Sequence, residues 1–151
     1  MARKKSKKWR PTKVIQTKVV GICINKGNLL AAEVYDDKGK VKGIRPLGGH
    51  IEFGETRETA LKREFLEELG VQITTAGTWR CFENRYQHEG ELGHEYIFAI
   101  GVSLADKMLY QRELITFSED SGYECTARWF PVSELKSGSI ALYPDGLLDK
   151  L

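Results

Sequence analysis

The alternation of apolar and polar residues in the first third of the chain is typical of β-strands. Short runs rich in Val, Ile, Leu and Ala are separated by turn-forming residues, which favours extended structure over helix. Asn25-Lys26-Gly27 is typical of a hairpin turn, and residues 36–40 indicate a second turn. Three strands and a short extended segment are predicted over residues 17–24, 28–35, 41–47 and 50–53, with Gly48-Gly49 ending the third strand.

The segment 56–69 carries the clearest helical pattern in the chain. Leu61, Phe65 and Leu69 recur every four residues, which places them on one face of a helix with 3.6 residues per turn. Thr56 is a suitable N-cap, and Gly70 stands where many helices end in a left-handed residue. We therefore expect one long amphipathic helix after the first strands.

The second half of the chain returns to strand-like patterns. Residues 105–123 are polar and without clear periodicity, so they are predicted to be an insertion or a long loop. Pro131 is suited to the first turn of a short helix. Strands are predicted over residues 71–86, 95–104 and 125–130, a turn over 88–93, and helices over 131–136 and 144–151. The whole pattern predicts a mixed α/β domain with more strand than helix.

Charge is unevenly distributed along the chain. Of the 23 Lys and Arg and 21 Asp and Glu, residues 1–18 hold eight basic and no acidic side chains, so the remainder carries a net charge of −6. Residues 1–12 have too few apolar side chains to build a core. We expect a disordered basic arm over residues 1–12 and one folded domain over residues 13–151.

Several classes of protein are excluded by composition. No apolar run approaches the roughly 20 residues of a membrane-spanning helix, and the basic N-terminus lacks the apolar stretch of a signal peptide. Cys23, Cys81 and Cys125 are odd in number and form no C-x-x-C pair, so they indicate neither a disulfide framework nor a zinc site. A cytoplasmic protein with reduced thiols and no membrane association is expected.

The predicted helix carries charges that reduce its stability. Glu64, Glu67 and Glu68 are spaced i, i+3 and i+4, where like charges repel by roughly 0.2–0.5 kcal/mol per pair. They also lie in the last two turns, where the helix dipole disfavours anions by roughly 0.3–1 kcal/mol each. A solvated acidic face is one interpretation. A hard divalent cation, which prefers carboxylate oxygens, would reverse both penalties.

The wider spacing of residues decides between these interpretations. Gly49 is followed after five residues by Glu55, and after seven more by Arg63-Glu64-Phe65-Leu66-Glu67-Glu68-Leu69-Gly70-Val71. This segment resembles the Nudix box, G-x5-E-x7-R-E-U-x-E-E-x-G-U, in which U is a bulky apolar residue. All seven fixed positions match, and Phe65 departs from the usual aliphatic residue without losing its apolar character.

The resemblance implies a Nudix-type α/β/α sandwich with a mixed β-sheet, and a hydrolase of the MutT-like family that uses Mg²⁺ or Mn²⁺ to cleave a diphosphate linkage. By position in the box, Glu67 and Glu68 match the main metal ligands. Glu64 matches a residue that ligates metal or acts as base, and Arg63 matches the residue that orients it. Glu55 matches a supporting ligand, and Gly49 a glycine whose carbonyl can ligate metal.

Further site residues are expected outside the box. Many members of the family use an additional glutamate shortly before a Trp-containing strand, which makes Glu124 and Glu119 candidates before Trp129, with Glu124 preferred. Arg45 ends the strand that enters the glycine pair, and its guanidinium is suited to binding a phosphate. An exposed strand arginine is an equal interpretation for Arg45.

Aromatic residues after the box are candidates for stacking on a nucleobase. Tyr86 and Phe82 lie on the predicted strand that follows the helix, although core packing is the stronger interpretation for Phe82. The substrate classes left open are nucleoside triphosphates, nucleotide sugars and dinucleoside polyphosphates. The sequence does not set the oligomeric state, and a homodimer is compatible with it.

Two alternative functions share this fold. One is a non-catalytic nucleotide- or RNA-binding module, in which the basic arm would contact phosphate backbones; an intact box argues against it, and a solubilising arm is the preferred interpretation. An intermediate possibility is an RNA-end hydrolase that uses the same arm. The other alternative is a diphosphate isomerase, which needs a catalytic cysteine such as Cys81 and normally a degenerate box.

Overall fold

A computed structural model describes residues 8–119 and 122–151 of the chain. The strands in these residues are β1 (Ile15–Ile22), β2 (Ile24–Asn25), β3 (Asn28–Tyr35), β4 (Val41–His50), β5 (Ile73–His88), β6 (Glu91–Leu104), β7 (Ile115–Ser118) and β8 (Glu124–Pro131). The helices are α1 (Arg57–Leu69) and α2 (Val132–Lys136), and short 3₁₀ segments span Lys107–Gln111 and Leu148–Lys150.

The strands form one mixed sheet with the order β5-β6-β1-β4-β3-β8-β7, and β2 pairs with β3. β1 and β6 run parallel, whereas the other paired strands run antiparallel. The predicted α/β class with a mixed sheet is therefore confirmed.

Both faces of the sheet are covered, because side chains alternate between the faces along each strand. On β1, Val19 joins the apolar cluster that contains Phe65 of α1. Val20, the next residue, packs on the opposite face. That second face is covered by α2 and the C-terminal segment through Leu135 and Leu147. The sheet is thus enclosed between α1 on one side and these shorter elements on the other.

Phe65 fixes how closely α1 approaches the sheet. Its ring is 1% exposed, and a Cβ added to Gly21 of β1 would lie 2.8 Å from its Cε2 atom. The glycine therefore leaves the space that the aromatic ring fills. Truncation of a buried Phe to Ala costs about 3–5 kcal/mol, so this contact is a large part of what holds α1 in place.

Two predicted boundaries in the strands were wrong. β4 does not end at Gly48-Gly49 but continues to His50, because β1 pairs with this stretch through Val19 opposite Gly49. The turn between β5 and β6 is also shorter than expected. It is reduced to Glu89-Gly90, both with positive φ, as in a tight hairpin.

The segment 105–123, predicted to be an insertion or a long loop, is not a continuous loop. It contains the 3₁₀ turn Lys107–Gln111 and strand β7, whose Ile115 and Phe117 are buried in the core. A four-residue strand gives too short an alternation to be recognised from sequence.

The C-terminal helix predicted over 144–151 is reduced to Leu148–Lys150, since Gly146 adopts a left-handed φ of 91°. Among the described residues, no helix has the length and apolar character needed to cross a bilayer.

Part of the predicted basic arm lies against the domain. Both terminal nitrogens of Arg10 donate to Asp37 in the β3–β4 turn, at 2.9 and 2.6 Å. Trp9 meets the ring of His88 edge-on, with centroids 5.1 Å apart. Residues 1–7 lie outside the described residues, so the arm and its boundary with the domain stay predictions.

These contacts connect the β3–β4 turn to the β5–β6 turn. The Asp37 amide donates to Glu89 Oε1 at 3.1 Å. Lys42 Nζ lies 3.0 Å from His88 Nδ1, and because an ammonium group only donates, Nδ1 is the acceptor and His88 is neutral. Burial, followed by the neighbouring Lys42 charge, lowers the pKa of His88 below its usual value.

His88 is therefore expected to make stability depend on pH. In the unfolded chain His88 takes up a proton near its usual pKa of about 6.5, so its contribution is complete above that pH. It is lost as the pH falls through the lowered pKa of the folded state. Compared with wild type, His88→Asn, which keeps an acceptor but does not titrate, should show a smaller loss of stability between about pH 7.5 and about pH 5. Urea unfolding at the two pH values measures this difference, and an equal loss in both proteins would contradict the assignment.

Candidate active site

Helix α1 begins and ends as its sequence predicts. Its three carboxylates differ in their exposure to solvent. Thr56 caps the helix by accepting from the Thr59 amide at 3.1 Å, and Gly70 ends it with a φ of 65°. Glu64 is buried although it is charged, with 6% of its surface exposed. Glu67 is exposed and Glu68 is half-buried, so the three carboxylates form a ridge that runs from the core to solvent.

Gly49 of β4 and Glu64 of α1 are in direct contact. A Cβ added to Gly49 would lie 2.3 Å from the carboxyl carbon of Glu64 and 2.5 and 2.6 Å from its two oxygens. The carboxylate of Glu64 therefore occupies the space that any larger residue at position 49 would need. The structure brings the predicted glycine and one predicted carboxylate together at the end of β4.

Arg63 holds the surrounding carboxylates in place. Its guanidinium donates to both oxygens of Glu55, at 2.8 and 2.9 Å, and to Glu64 Oε1 at 3.0 Å. It also donates to Glu67 Oε2 at 3.3 Å and to the backbone carbonyl of His50 at 3.0 Å. One planar group with a fixed set of donors thus ties the end of β4, the following loop and α1 together.

The same network sets the charge state of Glu55. The hydrogen bonds from Arg63 and then the backbone bond at Glu52 lower the pKa of Glu55 to about 2. The bonds to Glu55 in turn raise the pKa of Arg63 above its usual value. Glu55 is therefore ionised at neutral pH, and it contacts α1 through the guanidinium of Arg63.

A second group of charges surrounds the half-buried thiol of Cys125. Burial raises the pKa of Cys125 to about 12; the charges of Glu119 and Glu68 add to this increase, and Arg45 opposes it. Arg45 and Glu119 form an ion pair with each other. Arg45 of β4, Glu119, which follows β7, and Glu68 of α1 therefore all act electrostatically on this thiol.

The preference for Glu124 over Glu119 does not agree with the register of β8. Glu124 is paired with Ser118, one position beyond the pair of Cys125 and Phe117. Phe117 belongs to the core on the α1 side of the sheet, so alternation places Ser118 and Glu124 on the opposite face. Glu119 is paired with Arg45 on the α1 side of the sheet, so of the two predicted candidates outside the box its placement is the more favourable.

The two aromatic residues predicted to stack on a base also lie away from the carboxylates. Phe82 packs against the apolar clusters on the face opposite α1 and is in contact distance of Gly146, at 3.7 Å from a Cβ built there. Tyr86 covers Gly93 on the neighbouring strand, since a Cβ at Gly93 would lie 2.2 Å from its ring. Burial and the Glu95 charge raise the pKa of Tyr86 to about 12. These placements favour packing roles for both residues.

The donor set around α1 fits a hard divalent cation. Glu64, Glu67 and Glu68 offer carboxylate oxygens, the ligands that Mg²⁺ and Mn²⁺ prefer. A different group, Asp37, His88 and Glu89, has ligand atoms within 4.8 Å of one another. That group already receives Arg10 and Lys42, so its negative charge is neutralised without a metal.

Cys125 is the residue near the site that sequence reasoning missed. The alternation of side chains along β8 could have indicated its position. Trp129, Ala127 and Cys125 lie on one face of the strand, and Ala127 is fully buried in the core on the α1 side. Applied to Glu124, the same alternation would have placed it on the other face.

The family comparison agrees with this geometry. The family model described as "NUDIX domain" matches residues 15–150. The chain belongs to the Nudix family. The predicted resemblance to Nudix and MutT-like proteins is confirmed, and three glutamates of the box, Glu55, Glu64 and Glu67, are those that contact Arg63.

Curated relatives match over part of the chain. "Nucleoside triphosphatase NudI" of Klebsiella pneumoniae is 38% identical over 71 residues, which are 46% of this chain and 50% of that protein. The protein of the same name from an Enterobacter species is 42% identical over 67 residues, or 42% of this chain and 48% of the relative. The chain spans about half the length of the curated relatives that it matches.

Solved structures match over most of the chain and show the Nudix fold. The Escherichia coli ORF135 protein has a TM-score of 0.59 at 21% identity, with 89% of this chain and 86% of that chain covered. A NUDIX hydrolase from Nitrosomonas europaea has a TM-score of 0.55 at 19% identity, with coverage of 91% and 85%.

Gly49→Ala is expected to weaken divalent-metal binding, because the added methyl group would displace the carboxylate of Glu64. The affinity for Mn²⁺, measured by titration calorimetry, should fall by roughly 10–100-fold, as for other changes that disturb the setting of metal ligands. Gly39→Ala is the matched control: a methyl group there meets no atom within 4 Å, so its effect should be limited to backbone strain. Unchanged Mn²⁺ affinity in Gly49→Ala would contradict the contact as a determinant of the site.

Proposed function

We propose that the chain is a divalent-metal-dependent hydrolase that cleaves a diphosphate linkage in a nucleoside diphosphate derivative. The observation that carries the proposal is the network of Arg63, which orients the carboxylates of Glu55, Glu64 and Glu67 toward one region at the end of β4. This arrangement concentrates negative charge on carboxylates that hydrogen bonds from Arg63 hold in place. It supports metal-assisted phosphoryl chemistry more directly than a solvated acidic helix face does.

Each carboxylate has a distinct task in this proposal. Glu67 and Glu68 would hold Mg²⁺ or Mn²⁺, with Glu64 as a further ligand or as base and the Gly49 carbonyl as an additional donor. The metal would supply charge neutralisation for phosphate oxygens and a lowered pKa for water. Arg63 keeps Glu55 ionised and orients Glu55, Glu64 and Glu67 through its hydrogen bonds, since its positive charge offsets the repulsion between carboxylates.

Arg45 and Glu119 complete the site on the side of Glu68. The guanidinium of Arg45 is suited to a phosphate oxygen of the substrate, and its ion pair with Glu119 is an exchangeable contact because both side chains are about one-third exposed, at 30% and 33%. Glu119 would then act as a base or an additional ligand. This assignment is supported by the ion pair of Arg45 with Glu119 and by the charges of Arg45, Glu119 and Glu68 that act on the same thiol, that of Cys125.

Among the three substrate classes, we propose nucleoside triphosphates first. The curated relatives are named nucleoside triphosphatases, although they match about half of their length. Nucleotide sugars and dinucleoside polyphosphates follow as the other classes to test. The free thiols Cys23, Cys81 and Cys125 are compatible with the proposed cytoplasmic location.

The alternative of a binding module is less well supported, since every fixed position of the box is present and participates in the geometry above. An RNA-binding arm is also not favoured, because Arg10, one of its cations, is paired with Asp37.

Glu67→Gln should abolish turnover while the fold is retained. Loss of one ligand charge is expected to reduce turnover about a hundredfold or more, since changes to supporting residues already cost 10–100-fold. Product release from one compound of each substrate class, with and without Mg²⁺, measures the effect. Glu58→Gln on the same helix is the matched control and should retain activity. Metal-dependent cleavage by wild type that persists in Glu67→Gln would contradict the mechanism, and no cleavage of any compound would favour the binding module.

Glu119→Gln and Glu124→Gln form a matched pair that tests the glutamate outside the box. Glu119→Gln should lower turnover about a hundredfold if this residue serves as base, whereas Glu124→Gln should remain near wild type because its side chain lies on the other face. Turnover of the best substrate and the thermal midpoint of each variant are measured together. The reverse ranking, with both variants folded, would restore Glu124 as the candidate.

A further inference from the structure

A groove lies between the β2–β3 turn and the 3₁₀ turn Lys107–Gln111, and it contains none of the box residues. Its cavity volume is about 300 Å³, at the lower end of the sizes that hold small ligands. Tyr110 and Trp129 stack in its wall with ring centroids 5.6 Å apart. The Trp129 indole donates to the Leu109 carbonyl at 3.3 Å, which fixes the wall in position.

The side chains that line this groove are predominantly basic. Three cations, Lys26, Arg112 and Arg128, and one carboxylate, that of Glu113, line it. A fourth cation, Lys107, lines an adjoining pocket that also contains Lys26 and Tyr110. Since the chain beyond residue 18 has a net charge of −6, this concentration of positive charge is opposite in sign to the surrounding domain. An electropositive groove on an acidic surface attracts anions selectively to that place.

Three of these cations are available to a ligand. Lys26, Lys107 and Arg112 are exposed, and none of them forms an ion pair with a carboxylate within residues 8–119 and 122–151. Arg128 is bound to Glu33 at 2.8 Å. Lys107 Nζ lies 5.5 Å from the centre of the Tyr110 ring and donates a long hydrogen bond of 3.5 Å to the Leu104 carbonyl, so these two contacts hold the ammonium group beside the groove.

The hairpin turn places Lys26 at the groove. Lys26 is at the tip of the β2–β3 hairpin with a φ of 50°, and Glu89 in the β5–β6 hairpin has a φ of 49°, so both residues adopt the conformation of a tight two-residue turn. From this turn Lys26 lines the groove.

We propose that this groove is a second anion site, separate from the metal-binding carboxylates, that takes a small ligand with linked phosphate groups such as a diphosphate. Lys26, Lys107 and Arg112 provide the charges, and the amide side chains of Asn25 and Gln111 provide additional donors. Tyr110 has Trp129 on one side and Lys107 near its ring, so the site recognises charge rather than a stacked base.

Titration of wild type with inorganic diphosphate in the presence of EDTA tests the proposal, because EDTA removes the divalent ion on which the carboxylate site depends. Saturable binding is expected at low salt. The triple variant Lys26→Gly, Lys107→Gln and Arg112→Gln should bind about tenfold more weakly, as the sum of three modest exposed ion pairs. Glycine at position 26 suits the left-handed turn, so the variant should fold, and circular dichroism verifies this.

Lys38→Gln is the matched control, since it removes one exposed positive charge from a different turn and should leave binding within about twofold of wild type. Absence of binding up to about 10 mM diphosphate, or equal binding by wild type and the triple variant, would overturn the proposal. A short single-stranded RNA provides the second arm. RNA that binds through the same three residues far more tightly than diphosphate would show that the groove is for a nucleic-acid backbone, and the small-ligand proposal would be wrong.

Discussion

The guanidinium of Arg63 is the group on which the arrangement of the site depends. Without it, the carboxylates of Glu55, Glu64 and Glu67 would repel one another, and the buried Glu64 would lose the hydrogen bond that Arg63 donates to it. The guanidinium donates to both oxygens of Glu55. It also donates to Glu64 and Glu67, the like-charged pair on α1. Orientation and charge state are therefore set by the same residue.

The position of α1 over the sheet follows from two glycines. Gly21 leaves room for the ring of Phe65, and Gly49 leaves room for the carboxylate of Glu64. The apolar contact supplies most of the stabilising free energy, because a large ring is removed from water. The polar contact one residue earlier in the helix then brings a charged group to the end of β4. Phe65 thus packs α1 against the sheet, and the adjacent Glu64 places a carboxylate at the end of β4.

Charge outside the site is organised at two further places. Arg10 lies against Asp37, which connects a residue before the matched family region of 15–150 to a turn of the domain. At the β2–β3 turn, cations form a basic groove on a domain that is otherwise acidic. Carboxylates are concentrated around α1, where Arg63 is paired with them.

The sequence by itself determined the long helix, its caps and the box, because these depend on local spacing: Thr56 and Gly70 act on their own helix, and Arg63 to Glu68 are neighbours in the chain. It also indicated the mixed α/β class through the alternation of the longer strands. Tertiary structure decided which distant residues join the site. The face of Glu124 depends on its register with β7, a strand too short to recognise, and Glu119 reaches Arg45 only because β4, β3, β8 and β7 are adjacent in the sheet. Register between strands is a long-range property, and a shift of one residue moves a side chain to the other face.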